Sequence, residues 1–285
     1  MFKPIKHAEK DCTVDSLPHS RIQAFFDILR FQWRKVIICS LILFACSIPL
    51  SLLFYVELKG IAYYTSQFSN GLINRESYLS NVFSSINYSN LFLILAFAIL
   101  AIGIGVINRV YVKLCWQKGI LFKDDLKEGF KQNSLQNAII SVIFAVLLFL
   151  AGLVYGLSLI TETKLTILVI VFYVVVVLIF LPIMFIFFEM NSVYKATFKM
   201  KLKNSFLIYT RTFPFAILCV IIFLAPFSLL LIGSDLAILL TLFLYFVFYF
   251  PIGYLGLNLF LLKIFDKYIN IRFYPEIVDL GIWRK

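Results

Sequence analysis

The chain has 285 residues, 62% of them hydrophobic and 14% charged, with a formal net charge of +11. A soluble domain carries roughly 45–50% apolar residues and about a quarter charged ones, so a soluble fold is excluded. The basic excess would suit a nucleic-acid binder, but its placement along the chain excludes that class and points instead to membrane topology.

A bilayer core needs about 20 consecutive apolar residues to be crossed by a helix. Six blocks meet that requirement: Val36–Val56, Leu91–Ile107, Ala138–Ile160, Leu165–Phe188, Phe213–Ile232 and Leu236–Leu262. None contains Asp, Glu, Lys or Arg. Valine-rich stretches such as Val174–Val177 would read as strand in water, but lipid demands internally satisfied backbone groups and therefore helix. The expected fold is all-α: a single polytopic domain over residues 1–285 with six transmembrane helices arranged as three hairpins.

In chain order, residues 1–35 form a basic N-terminal segment. The first apolar block is too long for the core of a signal peptide and is read as a retained span. Glu57–Asn90 follows as a long outer loop rich in Ser, Asn and Tyr, and Asn87-Tyr88-Ser89 within it matches a glycosylation acceptor. Span two is the shortest block, and lengthening it takes in Asn108 and Arg109. The remaining outer connections, Thr161–Lys164 and Gly233–Asp235, are tight turns, and residues 263–285 form a basic tail. On this map 23 of the 26 Lys and Arg residues fall on one side, leaving only Lys59, Arg75 and Lys164 on the other. By the positive-inside rule both termini are cytoplasmic and the protein is a multi-pass component of the plasma membrane.

Three segments share a pattern. Phe122-Lys123-Asp124-Asp125-Leu126-Lys127-Glu128-Gly129-Phe130 and Phe198-Lys199-Met200-Lys201-Leu202-Lys203-Asn204-Ser205-Phe206 both read F-K-x-x-L-K-x-x-F, and Phe25, Leu29, Arg30 and Trp33 repeat the spacing more loosely. Residues four apart stay close to one helical stripe, so each segment predicts a cytoplasmic amphipathic helix lying at the headgroups before a two-span hairpin. Such a helix serves either as an elbow for the next span or as a docking platform.

Chemistry for catalysis is not evident. The two histidines, His7 and His19, lie in the N-terminal segment, and there is no H-E-x-x-H, Walker glycine loop or metal-ligand cluster. No catalytic, cofactor or metal residue is assigned, and the expected activity is non-enzymatic. Glu189 and Arg109 end spans four and two, where their charges are expected to snorkel to water. The five cysteines show no paired spacing and read as small core residues. Pro49, Pro182, Pro226 and Pro251 interrupt spans one, four, five and six; Pro251, Gly253, Gly256 and Asn258 make span six the most irregular. Gly152 and Gly156 form a G-x-x-x-G in span three, a signature of close helix packing.

Four stretches also carry a family likeness: Phe25–Arg30 leading to Ile48-Pro49; Phe122–Phe130; Phe188-Glu189-Met190-Asn191 running through Phe198–Phe206 toward Pro214; and Phe265-Asp266-Lys267-Tyr268-Ile269-Asn270 followed by Tyr274-Pro275-Glu276. In their order the chain resembles the YesL-like membrane proteins of Gram-positive bacteria, from which it departs by having Glu57–Asn90 where they have a short turn. The resemblance implies an accessory or scaffold protein linked to carbohydrate ABC importers, with a transporter subunit and the lipid bilayer as partners. The alternative is a small transporter or permeation pathway for a neutral solute, motivated by the kinked sixth span. Candidate binding residues are Asn258, Asp266, Lys267, Tyr268 and Asn191.

Overall fold

The computed structural model describes residues 17–160 and 165–283. The turn expected at 161–164 lies outside the described residues. The elements are α1 (Arg21–Phe31), α2 (Trp33–Ser69), α3 (Arg75–Cys115), α4 (Phe122–Ile160), α5 (Leu165–Val193), α6 (Phe198–Leu224), a 3-10 segment (Ala225–Ile232), α7 (Asp235–Leu244), a π turn (Tyr245–Tyr249), α8 (Phe250–Phe265), a second π turn (Asp266–Asn270), α9 (Ile271–Phe273) and a 3-10 turn (Pro275–Ile277). No strand occurs among the described residues. Six helical stretches there are long and apolar enough to cross a membrane: 33–69, 75–115, 122–158, 167–193, 198–230 and 235–273.

The expected outer loop 57–90 is instead mostly helix. α2 runs on to Ser69 and α3 begins at Arg75, leaving only a short tip. Gly71 turns that tip in the left-handed conformation, φ 71°, and the Asn74 side chain caps α3 by accepting the Ser77 N–H at 2.8 Å. No proline interrupts 57–90, and Gly60 fits against Ser85 across the hairpin. At about 1.5 Å per residue the 41-residue α3 is about 60 Å long, twice a hydrocarbon core. The hairpin therefore projects beyond the six-helix layer on the face opposite the chain ends. Asn87-Tyr88-Ser89 lies inside α3 with Ser89 buried, a poor setting for a glycosylation acceptor.

The two ends of the described chain meet on one face, where the Trp283 N–H donates to the Pro18 carbonyl at 2.9 Å. Arg21 adds an ion pair to Asp266 at 2.9 Å and a hydrogen bond to the Leu280 carbonyl. This is called the terminal face below, and the opposite one the far face.

The three patterned segments are helical but differ in how they join their spans. α1 is separate, broken from α2 at Gln32 (φ −118°, ψ 16°). In α6 the break is a kink at Thr212 with nearly the same dihedrals, φ −117° and ψ 16°, two residues before Pro214. In α4 there is no break, and Phe122–Phe130 runs straight into span three. The shared register survives these differences. Phe25 and Leu29, Phe122 and Leu126, and Phe198 and Leu202 all pack on the core, whereas Trp33, Phe130 and Phe206 are at least half exposed.

Packing centres on α3. Half of its span is buried, against 17% for the fifth span. Helices in lipid gain nothing from expelling water, so close approach of small residues sets their association. A Cβ on Gly129 of α4 would stand 2.5 Å from the Val106 carbonyl oxygen of α3, and one on Gly105 would stand 3.0 Å from Ser134 Cα of α4. Gly152 and Gly156 do pack closely, and within the chain: they receive Asn90 and Phe83 of α3. On the terminal face Asp125 clamps the same pair of helices, with Lys113 Nζ at 2.5 Å and Arg109 Nε at 3.6 Å. Arg109 also pairs with Glu128 at 2.6 Å, so it is held by α4 instead of reaching freely for water.

Because the obstacle at Gly129 is backbone, Gly129→Val has no side chain to push aside. It is expected to cost about 2–3 kcal/mol through overpacking and to lower the apparent melting temperature in mild detergent by about 5–10 °C. An unchanged melting curve would refute the close approach.

Candidate functional site

Between the six spans, toward the far face, lies a cavity of about 230 Å³. Every span contributes to its wall: Leu50, Leu100, Phe144, Phe185, Phe223 and Tyr245 are one residue from each. No nitrogen or oxygen faces it; the one serine in the wall, Ser141, turns its hydroxyl to the Met184 sulfur at 3.4 Å. The sixth span shapes the wall through the π turn at Tyr245–Tyr249, where the Phe250 N–H reaches back five residues to the Tyr245 carbonyl. Pro251 follows directly and brings no N–H of its own to the ladder. The irregularity expected around Pro251 is therefore present, and it begins one turn earlier.

Toward the terminal face the cavity is floored by aromatic rings. Phe185 contacts Phe250 at 6.2 Å and Tyr254 at 6.0 Å between centroids, and Phe250 stacks on Tyr254 at 5.8 Å with 3° between the planes. Below this floor, where α3, α5 and α8 meet, five polar side chains are fully buried: Asn108, Tyr111, Glu189, Tyr254 and Asn258, each 0% exposed. Asn108 faces the Glu189 carboxyl, Tyr254 lies beside it, and Asn258 and Tyr111 adjoin Tyr254. Glu189 thus does not snorkel. It sits one residue past an apolar run, but α8 and α3 cover it, so the end of span four is interior and not boundary.

The cluster is under-bonded. The Asn108 amide nitrogen donates to the Phe188 carbonyl and the Asn258 amide nitrogen to the Tyr254 carbonyl, both at 2.8 Å. Both amide oxygens, both tyrosine hydroxyls and both Glu189 oxygens make no well-formed hydrogen bond, although the Asn108 side chain approaches Glu189, Asn258 approaches Tyr254 and Ser40 approaches Tyr111. An unpaired buried carboxylate is among the most expensive groups a fold can hold.

The candidate binding residues do not form one site. Asn258 belongs to the Glu189 cluster. Asp266 is buried and turned inward, held by Arg21, by the Asn270 amide at 2.7 Å and by the Asp279 N–H at 3.3 Å. Lys267 and Tyr268 are on the surface side of the same π turn, where the Tyr268 ring carries Lys267 Nζ at 5.4 Å and the Arg211 guanidinium at 5.2 Å. Asn191 lies elsewhere, joining α4, α5 and α6. Its amide nitrogen donates to the Asn133 carbonyl and to Asn137 Oδ1, and its oxygen accepts from the buried Lys201 ammonium at 2.5 Å. Lys201 takes its other acceptor from Gln136 at 3.0 Å.

Sequence reasoning missed Glu189, Asn108, Tyr111 and Tyr254. A signal was available: Asn108 and Tyr111 are three apart and Tyr254 and Asn258 four apart, so each pair shares a helix face. Among the described residues no group of three His, Cys, Asp or Glu side chains is placed to hold a metal ion.

Asn191→Leu strands the Lys201 ammonium and is expected to cost about 2–4 kcal/mol. Adding Lys201→Met should restore most of the loss. A double variant no more stable than Asn191→Leu alone would show that the two residues do not act as a pair.

No protein-family model matches the chain, nor does any curated protein or solved structure.

Proposed function

We propose that the chain is a small transporter or permeation pathway for a neutral, largely apolar solute, with both termini in the cytoplasm of a cell whose plasma membrane it spans. The observation that carries this reading is the cavity that all six spans line without a single polar atom. Interiors pack to the density of organic crystals, and empty volume costs about 24 cal/mol per Å³. At about 230 Å³, and partly open to its surroundings, the cavity is a volume a guest can enter, and left empty it costs at most about 5 kcal/mol. A chain that only had to anchor itself would gain by filling it. An apolar cavity of about 150 Å³ stays dry and takes a benzene-sized guest, so this one suits a guest somewhat larger, such as an alicyclic alcohol. The kinked sixth span, which supplies both wall and floor, is the element best placed to let a guest pass.

The test pairs binding with counterflow. In mild detergent, uncharged alicyclic alcohols should raise the melting temperature saturably. In reconstituted vesicles, the wild type should exchange such an alcohol faster than protein-free vesicles. Ala101 is 1% exposed and lines the cavity, so Ala101→Phe fills it. That variant should fold, melt no lower than the wild type, and lose both responses at least tenfold. Equal responses in the two proteins would sink the reading.

A second reading is an accessory component beside a carbohydrate importer, as the YesL-like resemblance implies. It is favoured by the exposure of the third large residue of each patterned segment, Trp33, Phe130 and Phe206, each with an exposed basic residue three positions earlier, Arg30, Lys127 and Lys203. Those residues also serve as headgroup anchors. Co-purification distinguishes the two: a transporter subunit should accompany the wild type and be lost from the triple variant Trp33→Ser, Phe130→Ser, Phe206→Ser. Recovery of the chain alone, under conditions that preserve known complexes, counts against a partner.

A further inference from the structure

We propose that the buried cluster of Asn108, Tyr111, Glu189, Tyr254 and Asn258 is a binding site for a monovalent metal cation, entered from the terminal face. This inference does not depend on the apolar cavity being a substrate chamber.

Three observations lead to it. The first is a concentration of oxygens. Six side-chain oxygens of the cluster lack a well-formed hydrogen bond: two from Glu189 and one each from Asn108, Asn258, Tyr111 and Tyr254. The amide orientations are not arbitrary, because the Phe188 and Tyr254 carbonyls accept and only the NH2 ends of Asn108 and Asn258 can face them. Each NH2 keeps a second N–H and each tyrosine an O–H, but all six oxygens have lone pairs to offer a cation.

The second is charge. The cluster contains one carboxylate, and α3, α5 and α8 bring no Lys or Arg into contact with it; other titratable groups beside it are Cys39 and Cys115 next to Tyr111, and Tyr194 and Cys115 toward Glu189. Arg21 lies beyond Cys115 and is committed to Asp266 and the Leu280 carbonyl. One negative charge among neutral oxygens balances one positive charge. Calcium sites gather several carboxylates, and magnesium retains much of its water. The six-oxygen set with a single carboxylate therefore selects an alkali cation over a divalent one. The low-dielectric surroundings make a bare carboxylate costly and strengthen its attraction for a cation.

The third is access. The aromatic floor separates the cluster from the cavity, whereas polar groups lead from it toward the terminal face. Tyr194 lies near Glu189 and donates to Asn270 Oδ1 at 2.6 Å; Asn270 donates to Asp266; Asp266 pairs with Arg21, whose side chain is 10% exposed. Asp266 is thus a second carboxylate at the mouth of this path, closed in the structure by Arg21. A cation arriving there meets oxygen ligands at each step until it reaches the one carboxylate that has no partner.

The experiment uses the purified full-length chain in mild detergent at fixed ionic strength, with sodium, lithium, potassium or choline chloride as the sole salt. One alkali cation should raise the melting temperature by several degrees over choline, saturably and with selectivity among the three. Glu189→Gln keeps the shape, removes the charge, and should fold at least as stably in choline while losing the cation response. Equilibrium dialysis with radioactive sodium on the wild type gives a reading independent of that variant's yield. About one ion per chain should bind, displaced by excess of the preferred unlabelled cation and not by choline. Identical melting in all four salts, a response retained in Glu189→Gln, or a stability that follows pH alone with no cation dependence would each overturn the proposal.

Discussion

Nothing in a bilayer pushes two apolar helices together, because lipid tails are as greasy as leucine side chains. What joins these helices is the close approach of α3 to α4 at Gly105 and Gly129, where each glycine leaves room for the other helix's backbone. The rest follows from that contact. With α4 held this near, Asn133 donates to the Gly105 carbonyl and to Ser192, tying α3, α4 and α5 through one side chain. Asp125 is drawn against Lys113 and Arg109 on the same seam. On its other side α3 meets α8, and the two together bury Tyr111 and Tyr254, whose rings lie 6.1 Å apart.

The interior is sorted by depth. Toward the far face it is mostly hydrocarbon around an unfilled volume, with Ser89 and Asn90 of α3 and Ser158 of α4 as buried polar side chains on that side. Toward the terminal face it is polar, in two unlike networks. The network around Asn191 joins Lys201, Asn133, Asn137 and Gln136 and locks three helices in register, although Asn133 Oδ1 and Asn137 Nδ2 within it have no partner. The network around Glu189 gives one amide N–H each from Asn108 and Asn258 to backbone carbonyls and leaves more of its side-chain atoms unpaired. Both are buried, and buried polar groups are normally paired. What sets the Glu189 cluster apart is that its unpaired atoms include both oxygens of a carboxyl group.

The six spans were legible because length and hydropathy are properties of contiguous sequence, and lipid admits one backbone solution for them. The spacing of the patterned segments was legible only in part: the first two residues of each stripe share the core face, whereas the third, Trp33, Phe130 or Phe206, is at least half exposed, and the α4 segment continues into its span instead of lying apart from it. The hairpin at 57–90 was not legible. Its Ser, Asn and Tyr content resembles a loop, but those residues are tolerated on the flanks of a helix that has already been nucleated by an apolar span. Glu189 was misjudged because a charge one residue past an apolar run looks like a boundary, whereas burial is decided by α3 and α8, which are far away in sequence. Asp266, Lys267 and Tyr268 are consecutive, yet Asp266 is buried, Lys267 exposed and Tyr268 half-buried against the core, because successive helical residues point about 100° apart.

Cavity and cluster share a wall, and that sharing gives the molecule a means of relating them. Phe250, Tyr254 and Asn258 are spaced by four on α8, so one face of one helix presents a ring to the cavity, a hydroxyl to the cluster's edge and an amide to its centre. Directly before them is the π turn at 245–249, a register in which one residue is accommodated by widening rather than by unwinding. Returning that turn to α-helical register would rotate the residues on one side of it by about 100° relative to those on the other. Such a rotation cannot move Phe250 out of the cavity floor while leaving Tyr254 beside Glu189. Occupancy of either proposed site would therefore bear on the same helix face. A guest displacing the floor and a cation holding Tyr254 and Asn258 would act on one element, which is the physical requirement for two sites to be energetically coupled.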